Sequence, residues 1–212
     1  MHSDANRRRR ALPLGAAAAG VLAFAAAAGA QTWTVSGDAT ALQATVAGIP
    51  APQTTVLAAT GALADDGDAR QASLAAGSLP ALGGASALHA TTISAVTDGR
   101  VGDEVASESS VADLTLAVGG ATISAALVRA AADAPAGGAA VGSAAIDELT
   151  VNGLAVLPSG TENETIALPG LTLVLNQVLR TADSIRVNGL RITSGDGLVD
   201  VVVASASAGL GR

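Results

Sequence analysis

His89 is the one histidine beyond the first thirty residues, and it stands in the stretch Gly83-Gly84-Ala85-Ser86-Ala87-Leu88-His89. A histidine within reach of a serine could activate a hydroxyl nucleophile, provided that a carboxylate orients the ring. The local order argues against that chemistry. Ser86 lies between Ala85 and Ala87 rather than in a Gly-x-Ser-x-Gly elbow, and His89 alternates with Leu88 and Ala90 as an outward residue of a strand would. With no cysteine in the chain, a metal site of the His/Cys type is excluded by count. The run Asp65-Asp66-Gly67-Asp68 has the clustered carboxylates that calcium prefers. It lacks the alternating spacing of a calcium loop, however, and Ala69, Arg70 and Gln71 follow where a ligand should stand, so a solvated turn is expected. Asp103, Glu104 and Glu108 read the same way. A carboxylate pair could serve glycoside hydrolysis, but Trp33 is the only aromatic residue after Phe24, which leaves no stacking platform for a sugar. No catalytic, cofactor-binding or metal-binding residue is therefore assigned, and no cofactor is expected.

The N-terminus has its own logic. Arg7 to Arg10 precede an alanine-rich apolar run from Ala11 to Ala28, which ends in the small-x-small triplet Ala28-Gly29-Ala30. Charged segment, apolar segment and small-residue cleavage site in this order predict a signal peptide over residues 1–30, removed on export. The usual Phe-Leu after a twin-arginine pair is replaced by Ala11-Leu12, so the general export route is favoured over the twin-arginine route. The mature chain, 31–212, then keeps seven arginines against seventeen carboxylates, a net charge of about −10. Such a surface repels nucleic acid and anionic lipid, so neither is expected as a partner. Cysteine is absent, lysine is absent, and the core must be built from Val, Leu, Ile and Ala alone.

Those residues follow a period of two. Folding the chain about Gly119-Gly120 as a two-residue loop sets Leu116 against Ile123, Leu114 against Ala125 and Ala112 against Leu127, with Asp113, Thr115, Thr122 and Ser124 on the other face. A helix over Ala125 to Ala134 competes with this reading, but the glycine pair and the β-branched residues beside it favour strand. The four letters VNGL occur twice, at Val151 to Leu154 and at Val187 to Leu190. Asn-Gly suits a type I′ turn, in which both central residues need positive φ. At the first copy every neighbour sorts correctly, since Leu149, Val151, Leu154 and Val156 share one face. At the second copy the same folding sets Arg186 and Arg191 opposite each other, where like charges repel. Thr165 to Leu168, Pro169-Gly170 and Leu171 to Leu175 read as strand, turn and strand. Trp33 to Val46, Ala85 to Val96 and Val199 to Ala208 read as further strands, and 48–84 as largely irregular. About ten strands at short spacing predict an all-β fold, an antiparallel β-sandwich-like single domain.

The segments SVADLTLAVGGATISAALVRAAADA, SAAIDELTVNGLAVLP, ENETIALPGLTLVLNQ, IRVNGLRI and VDVVVASASAG, in that order, resemble the body of the choice-of-anchor P family of exported, largely actinobacterial proteins. The similarity spans most of Trp33 to Gly209. It implies an extracytoplasmic β-rich domain with no established enzyme activity and no catalytic residues to carry over. Relatives commonly have alanine where Gly189 stands, which implies a continuous strand at the second VNGL. They also have cysteines near Ala134 and at the C-terminus, which this chain lacks, and varied C-terminal anchors. Only Gly209 to Arg212 follow Ala208 here, so a form without an anchor is expected.

Taken together, these features lead to an expectation of a secreted, non-enzymatic surface or extracellular structural domain of adhesion type. An extracellular calcium- or ligand-binding module is the alternative, and a secreted hydrolase the second alternative. The expected partner is an extracellular or cell-envelope component, and the apolar last strand invites strand-mediated self-association.

Overall fold

The computed structural model describes residues 33–48, 50–79, 87–100 and 102–211. The expected signal peptide lies outside the described residues. Strands β1 (Thr34–Val46), β2 (Gln53–Ala59) and β3 (Ala69–Leu79) precede the three longest, β4 (Ala87–Arg100), β5 (Glu104–Val118) and β6 (Ala121–Pro135). β7 (Val141–Asp147) leads to a small hairpin, β8 (Thr150–Val151) and β9 (Leu154–Ala155). β10 (Glu164–Leu168), β11 (Leu171–Arg180), β12 (Ser184–Ser194) and β13 (Val199–Gly211) complete the chain. One sheet has the order β10-β11-β12-β13-β1-β2. The other runs β3-β4-β5-β6-β8-β9, with β7 also bonded to β6. All pairings are antiparallel, and the apolar faces of the two sheets meet in one core of Leu, Ile, Val and Ala. The chain is a β-sandwich, as its periodicity predicts.

Turn chemistry sets the local registers. Gly119 and Gly120 both have positive φ, and the hairpin they close pairs Leu116 with Ile123 and Leu114 with Ala125. Asn152 and Gly153 also have positive φ, at 52° and 75°, and pair Val151 with Leu154. Asn152 is locked further: its amide donates to the carbonyl of Thr122 and its Oδ1 accepts from the Thr122 amide. Pro169-Gly170 joins Leu168 to Leu171.

Three sequence expectations need correction. The region 48–84 supplies two strands, β2 and β3. Both lie at sheet edges and are largely exposed, so they need no clean apolar face and leave little periodic signal. The last strand is not free to pair with a neighbour, because β13 lies between β12 and β1 and is paired along both sides. Ala112 and Leu127 do pair, but they do not share the buried face of Leu114 and Leu116; Val111 and Val128 are buried instead.

The last correction reveals a feature that crosses both sheets. In β1 the buried positions are Gly37, Ala39 and Ala41, and then the phase slips to Leu42 and Ala44. In β13 they are Val199, Val201 and Val203, and then Ala204, Ala206 and Ala208. The ladders are interrupted at the same level in neighbouring strands, leaving Ala58, Ala41, Ala204, Gly189 and Asn176 in one row across the first sheet. Three of the five, in alternate strands, have positive φ: Ala58 at 48°, Ala204 at 54° and Asn176 at 46°. The second sheet has a matching row, with Thr92 at 45° and Asp113 at 48°, and the pairing of β4 with β5 shifts beside it. Each row is a shared interruption of the ladders, and in the first sheet the register is the same on both sides of it. Across it β1, β5, β6, β11, β12 and β13 change which alternate residues they bury.

The second VNGL lies in this row. β12 is continuous through Asn188 and Gly189, so these four residues form no turn. A Cβ on Gly189 would come within 2.7 Å of Val128 Cγ1 and 3.2 Å of the Val203 carbonyl. Two side chains make hydrogen bonds from one sheet to the other. Ser109 Oγ donates to the Ser205 carbonyl of the opposite sheet at 2.9 Å. Asn176, only 8% exposed, accepts the Ala144 amide of β7 on its Oδ1 at 3.0 Å.

Asn176→Ala is expected to cost about 2–4 kcal/mol in urea unfolding, combining the left-handed penalty with an orphaned amide. Asn176→Gly, which keeps the backbone conformation, should cost about 1 kcal/mol less. Gly189→Ala should lose about 1–3 kcal/mol by overpacking. Joined with Val128→Ala, it should cost less than the two single changes added together, and a double-mutant cycle measures that coupling.

Candidate functional site

Each of the chemically suggestive residues has a defined place. His89 is an exposed residue of β4, with Ser78 and Thr115 as its cross-strand neighbours. Ser86 lies outside the described residues. The acids of 65–68 hold the loop before β3 together. Asp66 Oδ2 accepts the Gly102 amide at 3.1 Å, and Asp68 Oδ2 accepts the Ala64 amide at 3.0 Å and Arg70 Nε at 2.8 Å. The Ala64 amide, followed by Arg70, holds the Asp68 carboxyl below its usual range. Asp103 exchanges backbone bonds with Arg100 and Ala136, and Glu104 pairs with Arg100. Among the described residues, no group of three or more His, Cys, Asp or Glu side chains is arranged to hold a metal. Asn163 is also committed, its Oδ1 accepting the Val178 amide at 3.0 Å.

What the structure assembles instead is a trough on the outer face of the second sheet, about 630 Å³ in volume. Three cross-strand rows build it. The first runs Asp98, Ala106, Asp133, Val141; the second Val96, Glu108, Ala131, Ser143; the third Ser94, Ser110, Arg129, Ala145. Small side chains on the central strands β5 and β6 form the floor. Val96 and Val141, 39% and 56% exposed, rise from the strands on either side. The depth comes from size, since Ala106 and Ser110 of β5 and Ala131 of β6 are small beside Val96 of β4 and Val141 of β7.

The electrostatics of the trough are uneven. Glu108 accepts Arg129 Nη2 at 2.6 Å, and that hydrogen bond raises the Arg129 guanidinium above its ordinary value. Asp98 lies 3.4 Å from Arg100. Asp133 enters no ion pair among the described residues, and its Oδ1 is buried with no hydrogen-bond partner. Sequence reasoning passed over Asp133 because an acid in Ala131-Ala132-Asp133-Ala134 looks like any outward residue of an alternating strand. Its signal was available only by pairing β6 with both neighbours, which shows that no arginine stands opposite it.

A second depression, of about 750 Å³, lies beside the first VNGL hairpin. Leu157 in its lining is 88% exposed, and Leu154 of the hairpin is 74% exposed. Val151 and Leu149 are buried as the hairpin predicts, whereas Leu154 is not, because β9 is the outermost strand of its sheet.

No family model, curated protein or solved structure matches the chain.

Three surface carboxylates, Asp68 half-buried and Glu162 and Asp196 exposed, respond to pH in a defined direction. Asp68 is lowered by the Ala64 amide and Arg70, Glu162 by its hydrogen bonds to Arg180, and Asp196 by the Ser194 hydroxyl and the Leu198 amide. Depressed folded-state values mean that their stabilisation is complete above the ordinary values, 3.8 for aspartate and 4.5 for glutamate, and is lost as pH falls through the folded values. The triple variant Asp68→Asn/Glu162→Gln/Asp196→Asn should therefore lose less stability between pH 5 and pH 3 than the parent, as followed by thermal melts.

Proposed function

We propose that the chain is an exported, non-enzymatic domain of the cell surface or extracellular space, acting in adhesion, envelope structure or assembly, with the trough as its contact surface. The observation that carries this reading is the trough itself: a broad concavity on the outer face of a twice-bonded sheet, floored by Ala106, Ala131 and Ser110. Its serines have no histidine beside them in the lining. A surface of this kind recognises by shape and a few polar groups rather than by chemistry on a bond. The arginine run and apolar segment before residue 31 support export, and the ordered likeness to choice-of-anchor P proteins supports the same placement. Strand-mediated self-association, where it contributes, falls to the edge strands β2 and β3, since β13 is paired on both sides.

Expression of the full chain in a bacterial host, with fractionation and N-terminal sequencing, should yield a product beginning at Gln31 outside the cytoplasm. The same product should bind isolated cell-wall material, and Ala131→Leu, which fills the trough floor, should abolish that binding without shifting the melting midpoint by more than a few degrees. Retention in the cytosol with Met1 intact, or a hydrolytic activity that Asp133→Asn removes, would sink the proposal.

A further inference from the structure

We infer that two copies of this chain join through β3, edge to edge and antiparallel, about a two-fold axis between Ala75 and Ala76. A sheet edge offers unpaired amides and carbonyls to any passing strand, and folded proteins guard such edges with prolines, breaks or short length. The other edges are guarded in these ways. β9 and β10 have two and five residues. β2 follows Pro50 and Pro52 and takes a left-handed backbone at Ala58. On β7 the Ala144 amide is occupied by Asn176. β3 has eleven residues, no proline, no lysine and no left-handed position. Among the described residues its backbone pairs with β4 alone.

The occupant follows from the faces of β3. Cross-strand partners share a face, and Ala72 and Leu74 pair with the buried Ala95 and Ile93, so both point inward. Beyond the break the inward residues are Gly77 and Leu79, paired with Ala90 and Leu88. A strand of plain alternation matches one half of this pattern and opposes the other. β3 itself matches both halves. The two-fold axis sets Ala75 against Ala76 of the second copy, Leu74 against Gly77 and Ala72 against Leu79, inward residue on inward residue throughout. Leu74, inward yet 41% exposed, is thereby set beside the apolar side chains of Leu57 and Ile93 that close over Gly77. Charge agrees with this register. Each copy has a net charge of −7, so contact between copies needs a surface without acids, and Gln71 to Leu79 carry no charged side chain. Arg70 is engaged by Asp68, and antiparallel pairing puts the two ion pairs at opposite ends. The joined edges lie in the plane of the sheet, so the trough on its outer face stays open and the inference stands apart from the reading of the trough.

Sedimentation equilibrium of the purified protein, as cells expressing the full chain process it, should show a reversible monomer–dimer equilibrium with no larger species. Ser73 and Ser78, both exposed, oppose each other across the axis and make the test specific to this register. Ser73→Glu/Ser78→Glu places like charges opposite each other twice and should raise the dissociation constant about tenfold or more. Ser73→Glu/Ser78→Lys places opposite charges there and should restore dimerisation to parental strength or better at low salt. Both double variants should keep the far-ultraviolet circular dichroism of the parent. In the unmodified protein, amide hydrogen exchange over 72–79 should slow as concentration rises. A parent that stays monomeric at submillimolar concentration overturns the inference, as does exchange that ignores concentration, whatever the variants do. So does a dimer that Ser73→Glu/Ser78→Glu leaves intact or that Ser73→Glu/Ser78→Lys fails to restore. Association that continues past the dimer also overturns it, because a two-fold contact leaves no β3 edge free.

Discussion

The fold depends on one backbone constraint: a strand can bury only every second residue, and these strands are too long and too twisted to keep one phase against a single partner sheet. β5 and β6 have fifteen residues each, about 50 Å of extended chain. The interruption that runs through Asn176, Gly189, Ala204, Ala41 and Ala58 resets the buried phase of β11, β12, β13 and β1 at one level. Had it occurred in one strand alone, that strand would have slipped against its neighbours and exposed half its apolar residues. Because the reset is shared, the pairing beyond it resumes in the same register. The cost is a left-handed backbone at Asn176, Ala204 and Ala58, of order 1–2 kcal/mol at each non-glycine position, offset by the apolar residues buried beyond the break, Leu42 in β1, Val178 in β11, Leu190 and Ile192 in β12 and Ala206 and Ala208 in β13.

The residues of the row follow from that geometry. Gly189 is required by the close approach of Val128 rather than by its φ, which is ordinary. Asn is among the residues that tolerate the left-handed region, and at Asn176 its amide oxygen also reaches the Ala144 amide of β7. That bond, with Ser109 to the Ser205 carbonyl, ties one sheet to the other by directed contacts. A core with no aromatic residue and many alanines has short side chains, so the sheets approach closely at Gly37 and Gly142, where an added Cβ would meet neighbours at under 3 Å. Hydrogen bonds between the sheets are feasible because the layer is thin.

The parts of this architecture legible in the sequence were those in which turn chemistry and alternation agree. Gly119-Gly120 and Asn152-Gly153 declare positive φ, and the apolar residues on either side confirm the register. The reset was not legible, because alanine is neutral to both phases: Ala41, Ala58, Ala126 and Ala204 carry no signal of which face they occupy. That ambiguity also misassigned Ala112 and Leu127. At the second VNGL, repulsion between Arg186 and Arg191 was the informative clue. In β12 they bond instead to Asp38 of β1, two strands away, and to Asp200 of the adjacent β13. The edge strands β2 and β3 were illegible for a different reason, since a strand exposed on most of its residues has no apolar face to advertise.

The candidate site was hidden because its meaning lies in what fails to meet across strands. Most acids singled out from sequence turn out to satisfy an amide or an arginine: Asp66 on Gly102, Asp68 on Ala64 and Arg70, Glu104 on Arg100, Glu108 on Arg129. Such pairings stabilise loops and strand ends, and a run of charges signals them well. Asp133 differs in its surroundings rather than its type. It lies between Ala106 and Val141, two residues that offer it no donor. Replacing either with arginine would have made it another surface ion pair worth at most about 1 kcal/mol. Small apolar neighbours leave the Asp133 carboxylate without a counter-ion among the described residues and the trough open.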